Sequence, residues 1–163
     1  MKLLFTTMAL ILSLTSYAQI KEFNFQEFEP LLHKQTDSIY VINFWATWCS
    51  PCVAELPHFE KLNQDFKNQK VKVLLVSLDF PKHKESRLVP FIKKNNLQSE
   101  VIFLNDPDAN AWIDKVYPNW SGAIPFTVIY NSKQRKYYEQ SFNYEGLVKQ
   151  TYLFLTHRTN QLK

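Results

Sequence analysis

A chain of 163 residues is sized for one domain, and with 45% hydrophobic and 15% aromatic residues it has the material for a core. Two glycines and eight prolines exclude a low-complexity or disordered chain. The net charge of +4, or +3 without Lys2 (4 − 1), is dispersed in small groups such as Lys82 to Lys84, Lys93-Lys94 and Lys133 to Lys136. Such groups read as solvated faces and argue against nucleic-acid binding.

In chain order, Lys2 and the apolar run Leu3 to Leu14 precede Ser16-Tyr17-Ala18, the pattern of a signal peptide over 1–18 that is cleaved to leave 19–163. The run falls short of the roughly 20 residues of a comfortable membrane span. The expected location is therefore periplasmic and soluble, with an uncleaved anchor facing the periplasm as the alternative. No Cys near the cut excludes a lipoprotein anchor there. Phe23 to His33 carries apolar residues at helical spacing, and Ile39 to Trp45 reads as a buried strand. A helix follows from Ser50 to Asn68, with Pro51 tolerated in its first turn and Pro57 expected to kink it. Val71 to Leu78 is a strand, Glu85 to Asn95 a helix and Val101 to Leu104 a short strand. Asp106-Pro107 is expected to cap a helix through Tyr117. Phe126 to Tyr130 and Arg135 to Gln140 form a hairpin around Asn131 to Gln134, and Tyr144 to His157 closes the chain as a helix. Alternating strands and helices predict an α/β fold, a central mixed sheet with helices on both faces.

The chemistry concentrates in Phe44-Trp45-Ala46-Thr47-Trp48-Cys49-Ser50-Pro51-Cys52, which holds both cysteines of the chain. A disulfide framework needs more cysteines and a zinc site needs a second ligand pair, so the pair reads as a redox center. Cys49 falls at a helix N-terminus, where free N–H groups and the macrodipole favour a thiolate. It is the expected nucleophile toward a client disulfide, and Cys52, one turn further in, the resolving thiol. Asp106, Asp108 and Asn110 imitate the start of a calcium loop. However, Ala111 and Tyr117 stand where Gly and Glu are needed, and no metal is expected.

The element order, the Cys-x-x-Cys at a strand–helix junction and Ile124-Pro125 before the hairpin resemble the thioredoxin fold. More narrowly, Val41 to Cys52 followed by Glu55 is similar to the exported TlpA-like thiol–disulfide oxidoreductases, with a helix-plus-strand insertion between Leu78 and Asp106. The resemblance spans roughly residues 22 to 157. It implies a cis bond at Pro125 opposite the cysteines, which leaves the Ile124 backbone free to pair with a client strand. It also implies that Glu55 moves the proton of Cys52. Asn43 departs from the buried Asp of classical thioredoxins, which leaves Glu55 as the available base. Trp48, Ser50, Pro51, Ile124 and Pro125 form the expected client-binding set. Trp112, Tyr117 and Trp120 are candidates for lining a groove, with core packing expected for at least one of them, and Trp45 is divided between core and surface. No cofactor is expected, because no nicotinamide or flavin motif exists in the chain. The family reading is a reductant of exported client proteins with disulfides or Cys pairs, tied to cytochrome c maturation and supplied by a membrane-bound thiol reductase. A thiol oxidase or isomerase is the alternative, followed by a copper chaperone.

Overall fold

The structure is a computed structural model that describes residues 20–159, so the expected signal peptide lies outside the described residues. After β1 (Lys21–Phe23), Asn24 and Glu27 form a reciprocal capping box that opens α1 (Phe25–Phe28), and a 3-10 turn follows over Glu29–Leu32. β2 (Ile39–Trp45) leads into α2 (Ser50–Asp65), then β3 (Val71–Ser77). A π-helical stretch, Lys84–Leu88, runs into α3 (Val89–Lys94), followed by β4 (Glu100–Leu104) and α4 (Ala109–Val116). β5 (Phe126–Tyr130), β6 (Arg135–Tyr138) and α5 (Tyr144–Thr159) complete the order.

The strands form one sheet in the order β1-β4-β3-β2-β5-β6. β2 pairs in parallel with β3 on one side and antiparallel with β5 on the other. All seven residues of β2 are buried, which is why its sequence is nearly continuously apolar. Alternation divides them between two cores. Ile39, Val41 and Trp45 join the cluster built with Leu56, Phe59, Leu62 of α2 and Leu147, Phe154 of α5. Tyr40, Ile42 and Phe44 join Phe25 and Phe28 of α1, Trp112 and Val116 of α4, and Trp120. The same alternation sets Asn43 on the α2 side, between Val41 and Trp45.

The mixed sheet matches expectation, and several boundaries do not. The first helix is preceded by a strand, and it gives way to 3-10 geometry after one turn. Asp106 does not cap the helix that follows it: its Oδ2 accepts the Phe25 N–H at 3.0 Å, on α1, and α4 begins after Asp108. The helix expected over 85–95 starts as π because Pro90 has no N–H for the Ser86 carbonyl, so the regular ladder cannot run through. Pro57 lies inside α2 without ending it. Trp45 is fully buried. Trp112 and Trp120 are also core residues, the latter stacked on Phe126 at 4.2 Å. Tyr117 stacks on Tyr137 at 4.1 Å. Core packing, expected for at least one of these three side chains, thus takes both tryptophans, and Tyr117 is half-buried.

Candidate active site

β2 ends at Trp45, and a turn closed by the Cys49 N–H on the Ala46 carbonyl (3.1 Å) brings Cys49 to the head of α2. Cys49 is the N-cap, with extended φ/ψ of −92° and 99°, and its Sγ accepts the Cys52 N–H at 3.3 Å. The sulfur thus occupies the position that a Ser or Asp oxygen takes at an ordinary helix start, where donors are unpaired and charge of negative sign is favoured. Pro51 follows in the first turn, where its missing N–H leaves no carbonyl unpaired. Cys49 and Cys52 are joined as a disulfide with Cα atoms 5.3 Å apart. Both sulfur-bearing residues are buried, Cys52 completely.

Opposite them, Ile124–Pro125 is a cis peptide bond. The Ile124 carbonyl oxygen lies 3.7 Å from Cys49 Sγ. Pro125 is buried and Ile124 half-buried, while Ser50 and Pro51 are exposed at the helix head. Trp48 is 49% exposed and stacks at 6.0 Å on Phe80, itself 55% exposed. The structure therefore sets Ile124 against Cys49, with Trp48, Ser50 and Pro51 beside Cys49 along the chain.

Glu55, one turn beyond Cys52, is 2% exposed. Its Oε1 accepts from Asn43 Nδ2 at 2.9 Å and its Oε2 from the Phe142 N–H at 2.7 Å. Asn43 Nδ2 also donates to Thr127 Oγ1 at 3.1 Å, across the β2–β5 ladder where Asn43 and Thr127 face each other. Both carboxyl oxygens are thus engaged by partners other than the Cys52 sulfur. Burial pushes the Glu55 carboxyl up to about 7, against the Phe142 and Asn43 hydrogen bonds, which pull it down. Asn43 Oδ1 is buried without a partner.

One buried acid escaped the sequence reading. Asp79 is 3% exposed, just past β3. Its Oδ2 accepts from the Thr47 N–H at 3.0 Å and from Ser77 Oγ at 2.9 Å, and its Oδ1 accepts from Thr47 Oγ1. The only local signal was Ser77-x-Asp79, whose Ser77 Oγ also accepts the Asp79 N–H at 3.2 Å. The partner that matters, Thr47, is 32 residues away. Among the described residues no group of three or more His, Cys, Asp or Glu could hold a metal ion, and no helix is long and apolar enough to cross a membrane.

Sheet order, cis proline and a Cys-x-x-Cys at the head of α2 together define a thioredoxin-fold protein with a redox-type cysteine pair. Residues 17–136 match the AhpC/TSA family, and the chain belongs to that family. Its similarities point to the TlpA-like, thioredoxin-like members. It is 49% identical over 39 residues to a thiol-disulfide oxidoreductase ResA of Oceanobacillus iheyensis, covering 24% of this chain and 20% of that protein. It is 31% identical over 62 residues to the sporulation thiol-disulfide oxidoreductase A of Bacillus subtilis, covering 38% of each. The aligned stretches thus span well under half the length of these curated relatives. Among solved structures, the thioredoxin-related protein of Neisseria meningitidis serogroup B superposes with a TM-score of 0.63 at 25% identity, over 76% of this chain and 87% of that one. StoA from Bacillus subtilis gives 0.56 at 25% identity, over 71% and 83%.

Proposed function

We propose that the protein is a thiol–disulfide oxidoreductase that reduces disulfides in exported client proteins. The observation that carries this reading is Cys49 Sγ at the α2 N-cap, accepting the Cys52 N–H, in a chain whose other cysteine is its disulfide partner. In the reduced protein the same N–H and the helix dipole favour the Cys49 thiolate. That thiolate attacks one client sulfur. A Cys49–client S–S bond forms, the client S–S bond breaks, and the departing client thiolate takes a proton. Cys52, its proton passed to the Glu55 carboxylate, then attacks the Cys49 sulfur. The Cys49–Cys52 bond forms and the second client thiol leaves. The client gains two electrons and the pair loses two. A carboxyl held near 7 by burial is suited to accept and return that proton at neutral pH.

Trp48, Ser50 and Pro51 offer a client-facing surface around Cys49, and Ile124 and Pro125 an edge along which an extended client backbone would lie. The resemblance to TlpA-like proteins supports a role in cytochrome c maturation, with a membrane-bound thiol reductase returning the electrons. It also supports export, with 1–18 removed and 19–163 as the working domain. The equilibrium potential of the Cys49–Cys52 pair tests the direction. A value at or below about −230 mV supports a reductant, and one near −120 mV marks an oxidant and overturns the reading.

A further inference from the structure

Two successive residues past the end of β3 meet two successive residues past the end of β2. The parallel ladder ends at Trp45↔Ser77, and the Leu78 N–H extends it by one bond to the Trp45 carbonyl at 2.8 Å. Beyond that point side chains continue the pairing. Asp79 holds both the N–H and the hydroxyl of Thr47, and Phe80 stacks on Trp48. Thr47 and Trp48 are the two central residues of the turn that the Cys49 N–H closes on Ala46. A turn of this kind is held by one backbone hydrogen bond alone and leaves its central N–H groups free to choose other partners. Here the first of them is committed to a buried carboxylate, which is in turn fixed by Ser77.

We propose that Asp79 is a positioning residue for the redox pair: by gripping Thr47 it fixes the turn that sets the Cys49 sulfur on the N-terminus of α2. The proposal rests on the exchange chemistry above and adds a residue to it. A sulfur accepts a helix-end N–H only within a narrow range of distance and angle, so a loosened turn weakens the bond that favours the thiolate. Asp79 touches no sulfur. Its charge alone, acting through space, would disfavour a nearby thiolate, so the two effects have opposite signs. The other titratable groups around the turn are Cys52 and Glu55 on α2 and, from the segment after β3, His83, whose ring meets Phe80 at 6.3 Å.

The test reads Cys49 alone, in the full chain carrying Cys52→Ser, by the pH dependence of its iodoacetamide alkylation. In Asp79→Asn the midpoint should rise by about one unit, which is about tenfold less thiolate below the midpoint. Thr47→Val should move it in the same direction, and Thr47→Ser, which keeps both donors, should leave it in place. Asp79→Asn combined with Thr47→Val should add little to the larger single effect, because both act on the Thr47–Asp79 pair, Thr47→Val removing its hydroxyl bond and keeping the N–H bond. An Asp79→Asn protein that is folded by circular dichroism and keeps the midpoint overturns the proposal, and so does a midpoint that falls. If Asp79→Asn does not fold, Thr47→Val decides by the same criteria. Unaltered protein that fails to exchange with oxidised glutathione would sink the oxidoreductase reading instead, and the alkylation comparison would still be readable.

Discussion

The two faces of the sheet are built from different materials. The face under α1 and α4 is an aromatic stack in which Phe25, Phe28, Phe44, Trp112, Trp120 and Phe126 pack against one another. Its polar atoms are tips, such as the Tyr40 hydroxyl bonded to Thr36. The face under α2 and α5 is largely aliphatic, yet it buries Asn43, Glu55 and Thr127 in one hydrogen-bonded group, with Glu55 one helical turn past Cys52. Burying polar groups in an apolar interior is costly, and Asn43 Oδ1 has no partner there, so nothing about stability alone recommends that arrangement. The difference teaches where to look for chemistry: the aromatic face secures the fold, and the other face holds the buried acid proposed above to carry a proton.

Four substitutions should break or sharpen this division. Cys49→Ser should abolish exchange with oxidised glutathione and leave the far-ultraviolet circular dichroism unchanged, because the lost bond closes a separation of only three residues. Full activity in that variant would refute the mechanism. Phe28→Ala is the mirror experiment on the aromatic face. Phe28 is fully buried and meets Phe44 edge-on at 5.7 Å. Its loss should lower unfolding free energy by about 3–5 kcal/mol in urea titrations, while folded protein keeps its exchange rate. Glu55→Gln should act on both stability and chemistry. The folded carboxyl, raised to about 7 from 4.5, contributes stability that is fully present below about pH 4.5 and lost as pH rises through 7. The loss approaches about 3 kcal/mol. The urea midpoint should therefore fall between pH 5 and 8 in the unaltered chain relative to the Gln variant, and resolution of the mixed disulfide should slow about tenfold. Identical pH profiles would show that the buried carboxyl does not titrate there. The smallest effect belongs to the exposed Lys21–Glu100 pair: Lys21→Ala should cost at most about 0.5 kcal/mol.

What could be read from the sequence was whatever announced itself locally. The β-branched and aromatic run of β2, the Cys-x-x-Cys after it and the periodicity of α2 all lie between Ile39 and Asp65, and so does Glu55, one helical turn from Cys52. The remainder depended on partners distant in the chain. β1 has three mostly exposed residues without an alternating pattern, and it is a strand only because β4, some 80 positions on, pairs with it. Asp106 looked like a cap for the helix after it, but Phe25 claims it from the far end of the chain. The aromatic residues before Pro125 had the composition of a binding surface; their burial is decided by α1 and the sheet, which no local window contains. Asp79 carried a faint local turn signature, and its grip on Thr47 becomes visible only once β2 and β3 lie side by side.

The central place of β2 has one more consequence, for how the molecule breathes. Partial opening of a sheet proceeds from its borders, where each strand has one neighbour to lose, and reaches doubly paired strands last. β1 and β6 can therefore fray, and their amides exchange with solvent, without disturbing the strand from which Cys49 is suspended. Cys49 follows directly from a strand with two neighbours, the kind that opens last, so fraying at the rim is expected to leave the disulfide in place.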